Sequence, residues 1–120
     1  MIIGIGTDLI ENERVLKALE NPHFIKRYFT EPEQELIQQD KRKAAGNYAV
    51  KESVAKSFGT GFRHFSLCDI EVLRDSLGKP YVNLYGEAKK IAGELGIDMI
   101  HVSITNTKEN TMAFVVAEKR

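Results

Sequence analysis

With only one cysteine, Cys68, the chain cannot form an internal disulfide, and that usage suits a reducing cytosol. It also lacks a cysteine–histidine cluster and an HExxH pattern, which argues against a zinc site. No apolar run approaches the ~20 residues of a membrane-spanning helix. The opening MIIGIGTDLIENERV has no basic start, and Asp8 interrupts its apolar stretch, so it does not read as a signal peptide. A soluble, cytoplasmic protein without a membrane partner is expected. Net charge is missing too: Lys plus Arg and Asp plus Glu both number 17. Nucleic-acid binders usually carry a basic excess, so none is expected as a partner. Neither a GxxxxGK(S/T) P-loop nor a nucleophile elbow around Ser53 or Ser103 is present.

A chain of 120 residues suits one domain, residues 1–120. Such a domain buries roughly two-thirds of its unfolded surface and needs no covalent staple. Apolar residues at 42% and charged residues at 28% give a globular balance. Ile2 to Gly6 reads as a buried strand ending at Thr7 and Asp8. Ile10, Val15, Leu16 and Leu19 then follow helical spacing until Asn21-Pro22 breaks it. Thr30-Glu31-Pro32-Glu33 is a capping box that opens the next helix. Residues 41 to 58 form the longest helix, closed by Gly59. Small residues Ala45, Ala49 and Ser53 make one row on it, and Tyr48, Glu52 and Lys56 make another. Strands are expected over 69–74, 80–84, 99–105 and 112–117, with a helix over 86–95 closed by Gly96. The sum is an α+β domain with an antiparallel sheet against helices.

Two carboxylates carry the chemistry. Asp8 directly follows an apolar strand, where a charge needs a partner. Capping the next helix and binding a ligand are equally good roles for it. Glu52 alone reads as a surface partner for Lys56, contributing ~0.2–0.5 kcal/mol. Together they suit magnesium, which takes one or two carboxylates plus waters and phosphates. Lys56, one turn on, would face a phosphate. Gly59-Thr60-Gly61 lets backbone approach a ligand closely. His101 reads as a hydrogen-bonded strand residue, and His64 as a weak acid–base candidate. The basic groups Arg14, Lys17, Lys26 and Arg27, and Lys41 to Lys43, are solvated faces or a docking surface for an acidic protein.

Read in order, these motifs resemble one family. Gly4-Ile5-Gly6-Thr7-Asp8-Leu9-Ile10-Glu11 is similar to the GIGxDxxE opening of the holo-acyl-carrier-protein synthases. Arg27-Tyr28-Phe29-Thr30 with Glu33, and Tyr48 to Ser53 through Lys56 to Gly61, resemble two further family segments. Gly78-Lys79-Pro80 and His101-Val102-Ser103-Ile104-Thr105 match a turn and a strand. The resemblance runs from residue 2 to about residue 118. It implies the 4′-phosphopantetheinyl transferase-like fold. The reaction it implies moves the 4′-phosphopantetheine of coenzyme A to a serine of apo-acyl carrier protein, releasing 3′,5′-ADP.

The resemblance further implies a magnesium cofactor on Asp8 and Glu52, catalysis by Asp8, Glu52 and Lys56, and Glu52 as an aid in removing the serine proton. It places the coenzyme against Lys56, Gly59, Thr60, Gly61, Pro80 and Asn106, and the carrier protein against Arg14, Lys17 and Arg27. It implies a homotrimer with sites between subunits. Asn47 and Asn106 stand where many members have arginine and histidine near the coenzyme. A rival reading is a non-catalytic module holding an acidic carrier-type protein. A small nucleotide-binding hydrolase is less consistent with the missing P-loop.

Overall fold

The chain runs β1 (Ile2–Glu11), α1 (Asn12–Ala18), α2 (Pro22–Tyr28), α3 (Glu31–Gln39) and α4 (Lys43–Phe58). A 3₁₀ turn (Leu67–Asp69), β2 (Ile70–Arg74), β3 (Pro80–Leu84), α5 (Gly86–Leu95), β4 (Met99–Asn106) and β5 (Asn110–Glu118) follow. The computed structural model describes residues 1–60 and 65–120. Gly61 and His64 lie outside the described residues.

The α+β arrangement is as expected. Antiparallel strands in the order β1-β5-β4 form one sheet, and β2 and β3 form a hairpin beside it. Helix α4 packs across the inner face of the larger sheet. It is buried on most sides because Val50, Val54 and Phe58 meet Val115 and Ala113 of the sheet, Val72 of β2 and Ala88 of α5 in one core. Each such side chain contributes about 1.5–3 kcal/mol when fully buried. None of the described helices is long and apolar enough to cross a membrane.

Alternation along β1 decides what the sheet offers to each side. Ile5, Thr7 and Leu9 face outward and are exposed. Gly4 and Gly6 face α4 at a separation no side chain tolerates. A Cβ at Gly6 would stand 1.8 Å from the Ser53 carbonyl oxygen, and one at Gly4 1.9 Å from that of Ser57. The small-residue row of α4 therefore meets backbone of the same chain at Ser53. Gly6→Ala should force strand and helix apart and cost about 1–3 kcal/mol, as overpacking does. Thermal unfolding checks this, and an unchanged midpoint would contradict the close approach.

The structure corrects three expectations. Asp8 does not end the first strand, because β1 continues to Glu11 in register with β5, pairing Asp8 with Ala113 and Ile10 with Thr111. The added ladder bonds satisfy backbone groups that would otherwise need water. Ile10 is thus a strand residue, and Asp8 is no helix cap, since Glu11 precedes α1. Helix α1 ends before Asn21-Pro22, as expected, but the pair also starts a further helix that was not expected. The Asn21 side chain accepts from the His23 amide at 2.9 Å and Pro22 takes the first turn. Helix α4 begins at Lys43, two residues late. The capping box at Thr30 and Glu33 forms, and Gly59 and Gly96 close their helices at φ 73° and 79°.

Candidate active site

The same alternation that turns Gly4 and Gly6 to α4 turns Asp8 there as well. Glu52 and Lys56, four apart on α4, then come alongside it. The Lys56 ammonium donates to Asp8 Oδ1 at 3.3 Å and to the Thr7 carbonyl at 3.0 Å. Lys56 thus reaches across to β1 instead of forming the expected surface pair with Glu52. The Asp8 side chain is 17% exposed, and its Oδ2 is buried without a hydrogen-bond partner among the described residues. A buried carboxylate oxygen left unsatisfied is costly, and it is the kind of atom a cation would satisfy.

Burial, and then the charge of Asp8, push the Glu52 carboxyl above its ordinary range. The Tyr48 hydroxyl and the Lys56 charge act in the opposite direction without cancelling them. Burial and the nearby Glu52 charge in turn push the Tyr48 phenol up to about 12, so it stays a proton donor at neutral pH. Asp8, Glu52, Tyr48, Arg14, Phe24 and Asn110 line one open cleft of about 760 Å³. Phe24 belongs to the unexpected helix α2, and its ring stacks on Tyr48 at 6.1 Å between centroids. In the sequence Tyr48 appears in the row it shares with Glu52 and Lys56 and at the head of a family-like segment, with no role of its own.

A carboxyl whose folded pKa is raised binds more protons folded than unfolded between its ordinary and raised values. Its protonated form favours the fold, and that contribution is lost as pH rises through this window. In the presence of a chelator, Glu52→Gln should therefore gain stability relative to the parent as pH climbs above about 4.5. Melting temperatures of both proteins across that range check the sign, and a pH-independent difference would contradict it.

The remaining candidates separate. Asn106 lines a second cleft of about 640 Å³ with Lys41, Arg42, Lys108 and Asn12. Val15 borders both clefts. Pro80 opens β3 and lines neither. Gly59 and Thr60 follow α4 one turn beyond Lys56. Lys17 and Arg27 are exposed, and Arg27 lies 5.5 Å from the Tyr28 ring centre. Asn47 does not face a cleft. It is fully buried, its amide donates to Glu33 and the Val72 carbonyl, and its carbonyl accepts from Arg74 at 2.8 Å. A guanidinium from β2 therefore stands beside this asparagine. His101 bonds Glu118 at 2.9 Å, as a strand residue should. Ser53 is buried on Ala49 O and has no role as a nucleophile. Among the described residues no cluster of three or more metal-ligating side chains exists, so any cation here has an open shell.

A family model described as the 4′-phosphopantetheinyl transferase superfamily matches residues 4–115. The holo-acyl-carrier-protein synthase of Lachnoclostridium phytofermentans is 59% identical over 118 residues, covering 98% of this chain and 97% of that one. That of Clostridium novyi is 47% identical and covers 98% and 88%. Among solved structures, the Plasmodium yoelii holo-ACP synthase superposes with a TM-score of 0.86 at 38% identity, covering 100% and 97%. The Bacillus anthracis holo-acyl-carrier-protein synthase, solved in complex with CoA (3′,5′-ADP), gives 0.82 at 35% identity, covering 100% and 99%. Motifs, fold and near full-length identity agree, and the chain belongs to the 4′-phosphopantetheinyl transferase superfamily as one of its holo-acyl-carrier-protein synthases.

Proposed function

We propose that this enzyme transfers 4′-phosphopantetheine in the cleft of Asp8 and Glu52, beside Lys56, with magnesium as cofactor. The observation that carries this reading is the buried Asp8 oxygen, without a partner among the described residues, beside a second carboxylate and an ammonium. Two carboxylates and an open remainder fit magnesium, which keeps waters and accepts substrate phosphates. When bound, the ion would supply positive charge to the pyrophosphate of coenzyme A.

The side chains have distinct tasks. Glu52, whose carboxyl holds protons more readily than usual, takes the proton of the carrier serine directly or through water. The serine oxygen bonds the β-phosphorus while its bond to the 3′,5′-ADP oxygen breaks. Lys56 sets its ammonium against the charge gathering on the phosphate and the leaving group. Gly59, Thr60, Gly61, Pro80 and Asn106 contact the coenzyme. Since Pro80 and Asn106 lie away from the Asp8 cleft, contributions from a neighbouring copy would complete the site.

The outer sheet face supports that assembly. Ile5 and Leu9 are 60% and 66% exposed, and Met112 and Phe114 lie beside them on β5 at 38% and 42%. An apolar patch of this kind favours a partner surface, and a homotrimer of this chain covers it. Arg14, on the rim of the cleft, receives the acidic carrier protein, with Lys17 and Arg27 assisting. A cytoplasmic setting with coenzyme A and acyl carrier protein completes the reading.

The test follows the mass of apo-acyl carrier protein incubated with this enzyme, coenzyme A and magnesium. A phosphopantetheine adduct that disappears with a chelator and in Asp8→Asn is expected. An adduct insensitive to the chelator would overturn the metal role. Carrier binding with unchanged mass would overturn transfer in favour of a binding module.

A further inference from the structure

Asn12 is the first residue of α1, yet its side chain does not serve that helix. It reaches across the chain to the turn between β4 and β5. Its amide donates to the carbonyls of Thr107 and Lys108, both at 3.1 Å, and its oxygen accepts from the Thr111 hydroxyl at 2.5 Å. Its backbone N–H adds a bond to the Glu109 carbonyl at 2.8 Å. The sheet ladder stops at Glu11–Asn110 and Asn106–Thr111, so residues 107–109 project beyond it. The turn is braced internally, with Thr107 Oγ1 accepting from the amides of Glu109 and Asn110. Its direction relative to α1 therefore rests on Asn12.

Stability is a poor explanation for the two amide bonds to the turn, though the bond from the buried Thr111 hydroxyl does contribute to it. The bonds to Thr107 and Lys108 are exposed, and water would satisfy both carbonyls if the amide were removed. Water cannot fix where the turn points. That direction sets where Lys108 stands in the second cleft, which Asn106, Lys41 and Arg42 also line. The same residue begins the helix that carries Arg14 into the first cleft.

We infer that Asn12 is a positioning residue for coenzyme binding, holding the 107–109 turn so that Lys108 joins Asn106, Lys41 and Arg42 in lining one cleft. This rests on the reading above, in which Asn106 contacts coenzyme A. Asn12 borders the same cleft, but its side-chain amide and oxygen are engaged by the turn and by Thr111, so it acts through them.

The test is steady-state transfer by the full-length enzyme, with coenzyme A and carrier protein varied separately. Asn12→Leu keeps shape without polar atoms. It should raise the KM for coenzyme A by roughly tenfold while kcat and the carrier KM stay within about twofold, the pattern of lost uniform binding. Lys108→Ala should raise the same KM, and the double variant should go no further than the larger single, since the two act as one unit. Thr111→Val, which removes one contact and leaves the ladder, should give a smaller rise, about threefold. A loss shared equally by both substrates, additive effects, or an unchanged coenzyme KM in folded Asn12→Leu and Thr111→Val would overturn the inference. An inactive parent enzyme would instead overturn the functional reading, and the inference with it.

Discussion

Lys56→Ala should fold as well as the parent and lose on the order of 10²–10³ in transfer rate at saturating substrates. Both halves of that expectation come from the same geometry. The Lys56 side chain is 56% exposed and its ion pair with Asp8 is long, at 3.3 Å. Exposed pairs of this kind contribute about 0–1 kcal/mol to stability. The ammonium nevertheless bonds Asp8, which lines the cleft together with Glu52. Without it, charge developing on a phosphate would meet carboxylates with less compensation. Lys56→Arg keeps the charge but spreads it over a longer, planar group, so it should recover only part of the rate. Single-turnover rates with a thermal melt alongside each variant make the check. Parent-like turnover by Lys56→Ala would remove this residue from the chemistry.

The reactive constellation was readable because each member carries a local signal. Glu52 and Lys56 are four apart on a helix with a clear glycine stop, and Asp8 interrupts an apolar run. Gly4 and Gly6 are the cause of their meeting, and a sequence shows only that a close approach is permitted, not against what. The extension of β1 past Asp8 was hidden because strand pairing with β5 is decided over a hundred residues away. Helix α2 was missed because Asn-Pro marks a helix start as well as a break, and only the His23 bond tells which. The turn bonds of Asn12 have no sequence signature at all. Neither does the burial of Asn47, which depends on α3 and β2 closing over α4.

Burial of charge was the largest feature left unread, and it gives the greatest expected effect on stability. Lys51 and Glu33 are both fully buried, with Nζ 2.7 Å from Oε1. Lys51 also donates to the carbonyls of Leu67 and Ile70, where the chain re-enters the core after the glycine loop. Glu33 accepts further from Asn47, the Val72 amide and the Thr30 amide. Burial pushes the Glu33 carboxyl up and the Lys51 amine down, and the attraction between them opposes both shifts. Lys51→Met would leave the buried Glu33 carboxylate without its counter-charge and the Leu67 and Ile70 carbonyls without this donor. Breaking one side of such a pair costs about 3–5 kcal/mol, a large share of the ~5–15 kcal/mol that holds a domain together. Glu33→Leu combined with Lys51→Met should be less damaging than the sum of the singles, because no lone charge remains. Recovery should stay incomplete, since the Leu67 and Ile70 carbonyls still lack a donor. Urea unfolding of the two singles and the double measures the coupling. Additive losses would mean that the ion pair is incidental and that α4, with Glu52 next to Lys51, is held in place by apolar packing alone.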